Sequence, residues 1–201
     1  SLIISGSFNA FRVDTDNVVM GTGAGAALQD SANFNVLLGN KAGDSLTTGD
    51  STIAIGYQAG QAISTNGFNI CLGYQSGYNI TGQQNVIIGS TAGFSANAGN
   101  YNVIIGQSAG YAMNSSANYN VALGFRAGYN ADGDNNALIG RDAGYNLAES
   151  SNNIMIGHEA GHTCAVGSHG NIVIGSGSKG QALMTDQLRI GSGNSLTTIS
   201  G

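Results

Sequence analysis

The sequence predicts an all-β chain: a β-solenoid (a β-roll or β-helix) of about eleven coils, each of 16 to 18 residues. Two observations predict that fold. A glycine returns at a near-constant interval along the chain, and a three-residue apolar run ends at each of those glycines. A third observation, one column of the repeat that is apolar almost throughout, predicts that the solenoid does not stand alone.

The reference glycines are Gly21, Gly39, Gly56, Gly73, Gly89, Gly106, Gly124, Gly140, Gly157, Gly175 and Gly191. A second glycine follows four places later in nine of the coils, from Gly25 and Gly43 to Gly144 and Gly161. Asparagine stands four places before the reference glycine at Asn17, Asn35, Asn69, Asn85, Asn102, Asn120, Asn136, Asn153 and Asn171. Thr52 and Gln187 take that place in the other two coils. The block from asparagine to second glycine keeps its length, and insertions fall after it. Stacked repeats behave this way, because strands and tight turns are fixed while an outer loop tolerates change.

The most regular runs read Asn-Val-Ile-Ile-Gly, at 85–89 and 102–106. β-Branched residues favour a pleated strand, and three residues are too few for a helix. The glycines suit turns that need positive φ or close backbone approach. Eleven coils stacked at about 4.8 Å make a rod roughly 50 Å long.

Composition excludes several other classes. Only 8% of the residues are charged while 41% are hydrophobic, the reverse of a disordered chain. The 33 glycines come without a single proline, so a collagen triple helix is excluded. A net charge of -5 lacks the basic footprint that nucleic acid requires. Apolar runs of about four residues are far too short for a membrane-spanning helix.

Side chains alternate between the two faces of a strand. Pairs such as Val86 and Ile88, Val103 and Ile105, or Ile154 and Ile156 are therefore assigned to the coil interior. The residue between each pair is expected to point outward. That column reads Val19, Leu37, Ala54, Cys71, Ile87, Ile104, Ala122, Leu138, Met155 and Val173, before Arg189 ends it. Over about 50 Å it presents roughly 500 Å² of apolar surface, more than soluble monomers usually leave open. Val19, Leu37, Cys71, Ile87, Ile104, Leu138, Met155 and Val173 are thus expected at an interface between copies of the chain. A threefold assembly, a dimer, or a second sheet of the same chain each satisfies this pattern.

The segment Asn85-Val86-Ile87-Ile88-Gly89-Ser90-Thr91-Ala92-Gly93 resembles the repeats of phage tail fibres that precede a self-cleaving intramolecular chaperone domain. It is also similar, with a longer coil, to the head repeats of trimeric autotransporter adhesins. The resemblance covers roughly residues 17–175, and Asp186 to Gly191 looks like the closing segment before such a chaperone. It implies a parallel homotrimer serving as a structural and adhesive segment of a viral receptor-binding fibre, located in a virion tail. A bacterial surface adhesin and a polysaccharide-degrading tailspike are the alternatives. Before the repeats Phe11 and Val13 alternate with Arg12 and Asp14, which suits one incoming strand. After Gly175 the pattern decays, with Lys179 in place of the expected glycine. The chain therefore divides into a leading strand (1–16), the solenoid (17–175) and degenerate coils with a cap (176–201).

Several motifs suggest chemistry. His158-Glu159-Ala160-Gly161-His162 matches the H-E-x-x-H zinc-protease pattern, but that chemistry needs a helix. Here the residues fill a glycine-flanked turn slot, so they are expected to be loop residues, and no metal or cofactor is assigned. A polar column two places after the glycine runs Lys41, Gln58, Gln75, Thr91, Ser108, Arg126, Asp142, Glu159. Its adjacent carboxylates, Asp142 and Glu159, have the spacing that glycosidases use. The competing expectation is a solvated face with Arg126 paired to Asp142, and the chain is read as not an enzyme. Five places after the glycine stand Tyr78, Phe94, Tyr111, Tyr129 and Tyr145, then His162. Such a ladder stiffens a solenoid, and the five aromatic residues are also candidate contacts for a cell-surface glycan. Cys71 and Cys164 lie five coils apart, about 24 Å, which forbids an intrachain disulfide.

Overall fold

The computed structural model describes residues 11–13, 16–95, 99–114, 117–164, 166–177, 185–193 and 195–200. Residues 1–10, Asp14 and Lys179, on which part of the terminal expectations rests, lie outside them. The chain is all-β, with parallel strands forming a β-solenoid of about nine turns. A short strand recurs at each turn, with further strands at both ends, and the described strands form a single thirteen-stranded sheet in chain order.

The strands are β1 (Phe11–Val13), β2 (Val18–Met20), β3 (Val36–Leu38), β4 (Ile53–Ile55), β5 (Ile70–Leu72), β6 (Val86–Ile88) and β7 (Val103–Ile105). They continue as β8 (Val121–Leu123), β9 (Ala137–Ile139), β10 (Ile154–Ile156), β11 (Ile172–Ile174), β12 (Gln187–Ser192) and β13 (Ser195–Ser200). From β2 to β12 every pairing is parallel, and like positions of the repeat stand opposite each other, as Ile87 does to Ile104. At the ends the rule changes: β1 pairs antiparallel with β2, and β13 pairs antiparallel with β12. A parallel stack is thereby ended by a strand of opposite sense on each side.

The strands alternate as expected, but their facing is the reverse of the sequence reading. The middle column is inside: Leu37, Cys71, Ile87, Ile104, Leu138, Met155 and Val173 are 0% exposed and Val19 is 4% exposed. The flanking positions, such as Val86 and Ile88, are half-buried and face out. The residues expected between copies of the chain are therefore enclosed by the chain itself. The physical reason is that the strand supplies only one wall of the core. In the turn of Gly106 the others come from Ala109 and Met113, together with the ladder residue Asn102, all 0% exposed. One inward side chain per strand fills that space, and a second pair would overfill it.

Asparagine is inside as well. Asn102 donates its backbone N–H to Asn85 Oδ1 at 2.9 Å and its Nδ2 to the same oxygen at 3.1 Å. The same Nδ2 also donates to the carbonyl of Ala117 at 2.8 Å. Asn120 repeats the pattern onto Asn102 Oδ1. Each rung thus satisfies buried groups on three successive turns, which explains why the residue type recurs. Thr52 interrupts the ladder: its N–H reaches Asn35 Oδ1 at 2.8 Å, while its own Oγ1 is buried without a partner among the described residues.

The reference glycine is required by contact between turns. A Cβ on Gly89, at φ 135°, would lie 2.6 Å from the carbonyl oxygen of Gly106. No side chain fits there, whereas left-handed positions whose side chains point outward accept Lys41, Gln58 or Thr91 at φ between 52° and 56°.

Candidate functional site

Two long surfaces and one charged cluster are the candidate sites. The first surface is the outward face of the sheet. Since the inward positions are the asparagine and the middle strand residue, four columns share the outer face. They are the residue before the asparagine, the two flanking strand positions, and the residue after the reference glycine. The flanking positions from Val18 to Ile190 carry only apolar side chains. Aromatic residues border them on both sides: Phe34, Phe68, Tyr101 and Tyr119 along one margin, Tyr57, Tyr74 and Phe125 along the other, all exposed. The first four hold left-handed backbone, with φ between 58° and 62°. Sequence reasoning missed this surface, because it placed the flanking residues inside.

The second surface is the aromatic ladder. Tyr78, Phe94, Tyr111, Tyr129, Tyr145 and His162 form one unbroken stack with ring centroids 4.9 to 5.3 Å apart and interplanar angles of 4° to 19°. Stacking covers the ring faces with neighbouring rings, so the inner rings present edges and phenol oxygens to the outside. A sugar that packs on a ring face therefore has no free face on Phe94, Tyr111 or Tyr129. Partial burial pushes the Tyr129 phenol up, aided by Tyr111 and Tyr145.

The charged cluster lies beside the last rungs of that ladder. Arg126 Nε is 2.7 Å from Asp142 Oδ1, and Arg141 Nε is 3.1 Å from Asp142 Oδ2. The Asp142 side chain is 2% exposed, and its buried charge is compensated by two guanidinium groups. Arg126 is pushed further up, first by its hydrogen bond to Asp142. Its guanidinium carbon also lies 4.8 Å from the centre of the Phe125 ring and 5.1 Å from that of Tyr145. Elsewhere the same column pairs neutral side chains: Gln75 donates to Gln58 at 2.8 Å, and the Thr91 and Ser108 hydroxyls are 3.0 Å apart.

The H-E-x-x-H residues sit in a turn, with Glu159 at φ 56° and Gly161 at φ 63°. His158 lies 3.7 Å from Glu159, while His162 stacks on Tyr145 at 5.1 Å, so the two histidines occupy different columns. One ligand atom from each of Asp142, His158 and Glu159 comes within 4.8 Å of the others. A cation held there has to displace Arg126 and Arg141 from Asp142, so the donor set does not fit a resident metal. Both cysteines are buried and free. Burial pushes the Cys71 thiol up to about 12 and the Cys164 thiol to about 11, so neither is a nucleophile near neutral pH.

A second polar ladder also escaped sequence reasoning. Backbone N–H groups of Gln83, Asn100 and Asn118 donate to Asn100 Oδ1, Asn118 Oδ1 and Asp134 Oδ1 at 2.9, 2.8 and 2.7 Å. It runs opposite to the buried asparagine ladder, each residue donating to the turn after it rather than the turn before. Its residue types vary, and the continuation through Ser151 to His169 Nδ1 shows why no motif marks it. No family model, curated protein or solved structure matches the chain.

Proposed function

We propose that this chain is a structural and adhesive segment of a fibre made of three parallel copies, of the kind that carries receptor contact on a viral tail fibre. The observation that carries the reading is axial continuity. Backbone pairing from β2 to β12, the buried asparagine ladder and the aromatic stack all run along the same axis, each residue tied to its equivalents one turn away. Such a stack resists bending and local opening, which suits a spacer under load rather than a site that must open and close. The adhesive part falls to the side bearing the aromatic ladder and the charged cluster. There the phenol oxygens, Arg126 and Glu159 offer hydrogen bonds to the hydroxyl groups of a cell-surface glycan.

Polysaccharide hydrolysis is less well supported. Two carboxylates must act as acid and as base or nucleophile, and Asp142 already has both oxygens engaged by guanidinium groups. A bacterial surface adhesin would share the architecture and differ only in what anchors it.

Electron microscopy of the purified chain, with a glycan-binding screen and an assay for polysaccharide cleavage, tests the reading. Short rods that bind a glycan without cleaving it are expected. Compact particles, or turnover of any capsule or lipopolysaccharide that Glu159→Gln abolishes, would overturn it.

A further inference from the structure

We infer that the outward face of β2 to β12 is the surface on which copies of this chain pack against one another. The inference takes the number of copies from the fibre reading, but the face itself rests on independent observations.

The first is chemical. Every flanking strand position on this face is apolar, from Val18 and Met20 at one end to Leu188 and Ile190 at the other. No side chain in those two columns carries a charge or a hydrogen-bonding group; polar side chains such as Gln84, Gln107 and Arg141 stand only in the margins, as a polar rim stands around the apolar centre of an interface. The second is area. Eleven parallel strands span about 48 Å, and a strip of about 15 Å including the aromatic margins gives roughly 700 Å² per copy. A stable protein interface buries about 800 Å² per partner. Aromatic residues such as Phe68, Tyr119, Tyr74 and Phe125, exposed at the margins, are of a kind enriched at protein interfaces.

The third observation selects the occupant. The face is a set of ridges repeating once per strand, about 4.8 Å apart, along the whole rod. Side chains of two packed sheets interdigitate along their full length only where both have the same period. A second copy of this chain has that period by construction, with the same sequence of Val, Ile and Leu at each level. Any other partner would have to present a stack of comparable length at the same strand spacing. The buried middle column is excluded from any such contact, so the assembly interface and the coil core are separate columns of the same three-residue strands.

The test is absolute mass by light scattering after size exclusion, on the wild-type chain, on Ile88→Asp/Ile105→Asp, and on Thr65→Asp as an exposed control. The chain mass is 20.2 kDa, so three copies weigh about 61 kDa (three times 20.2). Wild type and Thr65→Asp are expected near that value, and the double variant is expected to fall threefold to a monomer that keeps its β circular dichroism. A wild-type mass of 20.2 kDa, or an assembly that survives the double substitution, would overturn the inference. A mass near 40 kDa (twice 20.2) that the double variant halves would support the face while overturning the threefold reading. Should the double variant fail to fold, Ile105→Cys and Thr65→Cys replace it with a short bis-maleimide. Crosslinking between copies at 105 and not at 65 supports the face; the opposite overturns it.

Discussion

Ile87 and Ile88 are neighbours with the same side chain, yet one is completely enclosed and the other half-exposed. The contrast repeats in every turn: Ile104 is 0% exposed and Ile105 is 37% exposed. Hydrophobicity cannot separate the two, because the strand is apolar at all three positions. What separates them is the remainder of the turn. The inward position meets the alanine and aliphatic columns of its own coil, whereas the outward position is flanked by its equivalents on adjacent strands, as Ile88 is by Leu72 and Ile105. The same residue type therefore contributes to folding at one position and to assembly at the next.

Substitution at the two positions gives the largest expected effects. Ile87→Asp buries an unpaired carboxylate in the coil and should cost more than about 4 kcal/mol, abolishing the β circular dichroism at any protein concentration. Ile88→Asp should leave the coil intact and weaken only the assembly, seen as a lower mass at the same spectrum. Equal losses of fold at both positions would break the contrast.

A rung of the buried ladder should rank next. Asn102→Ala leaves Asn85 Oδ1, the Ala117 carbonyl and the Asn120 N–H short of partners, and should cost about 3 kcal/mol in urea unfolding. Thr52→Asn runs the other way. It removes a buried hydroxyl without a partner and places a side-chain oxygen where Asn69 can donate, so stability should rise by about 1 kcal/mol. A lower melting temperature for Thr52→Asn would show that the ladder does not control this position. The smallest effect concerns Cys71: with its thiol held near 12, it should react with a thiol reagent at pH 8 only after denaturation.

Much of this arrangement was legible in the sequence. The glycine interval placed β2 to β12, and the aromatic column announced the stack from Tyr78 to Tyr145. Arg126 pairs with Asp142 as one of two competing expectations had it, although that carboxylate is buried rather than on a solvated face. The facing was not legible from strand alternation alone, since parity says that Ile87 and Ile88 differ but not which is inside. The signal lay in the flanks. Asparagine shares a face with the middle column, and its recurrence marks an enclosed ladder rather than a wet one. Small residues also mark the inner column, as at Ala54, Cys71 and Ala122, while the outer columns stay almost uniformly branched. The second ladder, through Asn100, Asn118, Asp134 and Ser151, was illegible for a different reason. It needs only an acceptor atom at the right place, which several residue types supply.

The most direct test compares thiol reactivity at the two neighbouring positions, with Cys71→Ala and Cys164→Ala as the background. A cysteine at position 87 should stay protected at every protein concentration. One at position 88 should react quickly in dilute protein and progressively more slowly as concentration rises and copies cover the face. Ready labelling at 87, with 88 protected even at the highest dilution, would mean that the strands face the other way and would contradict the account.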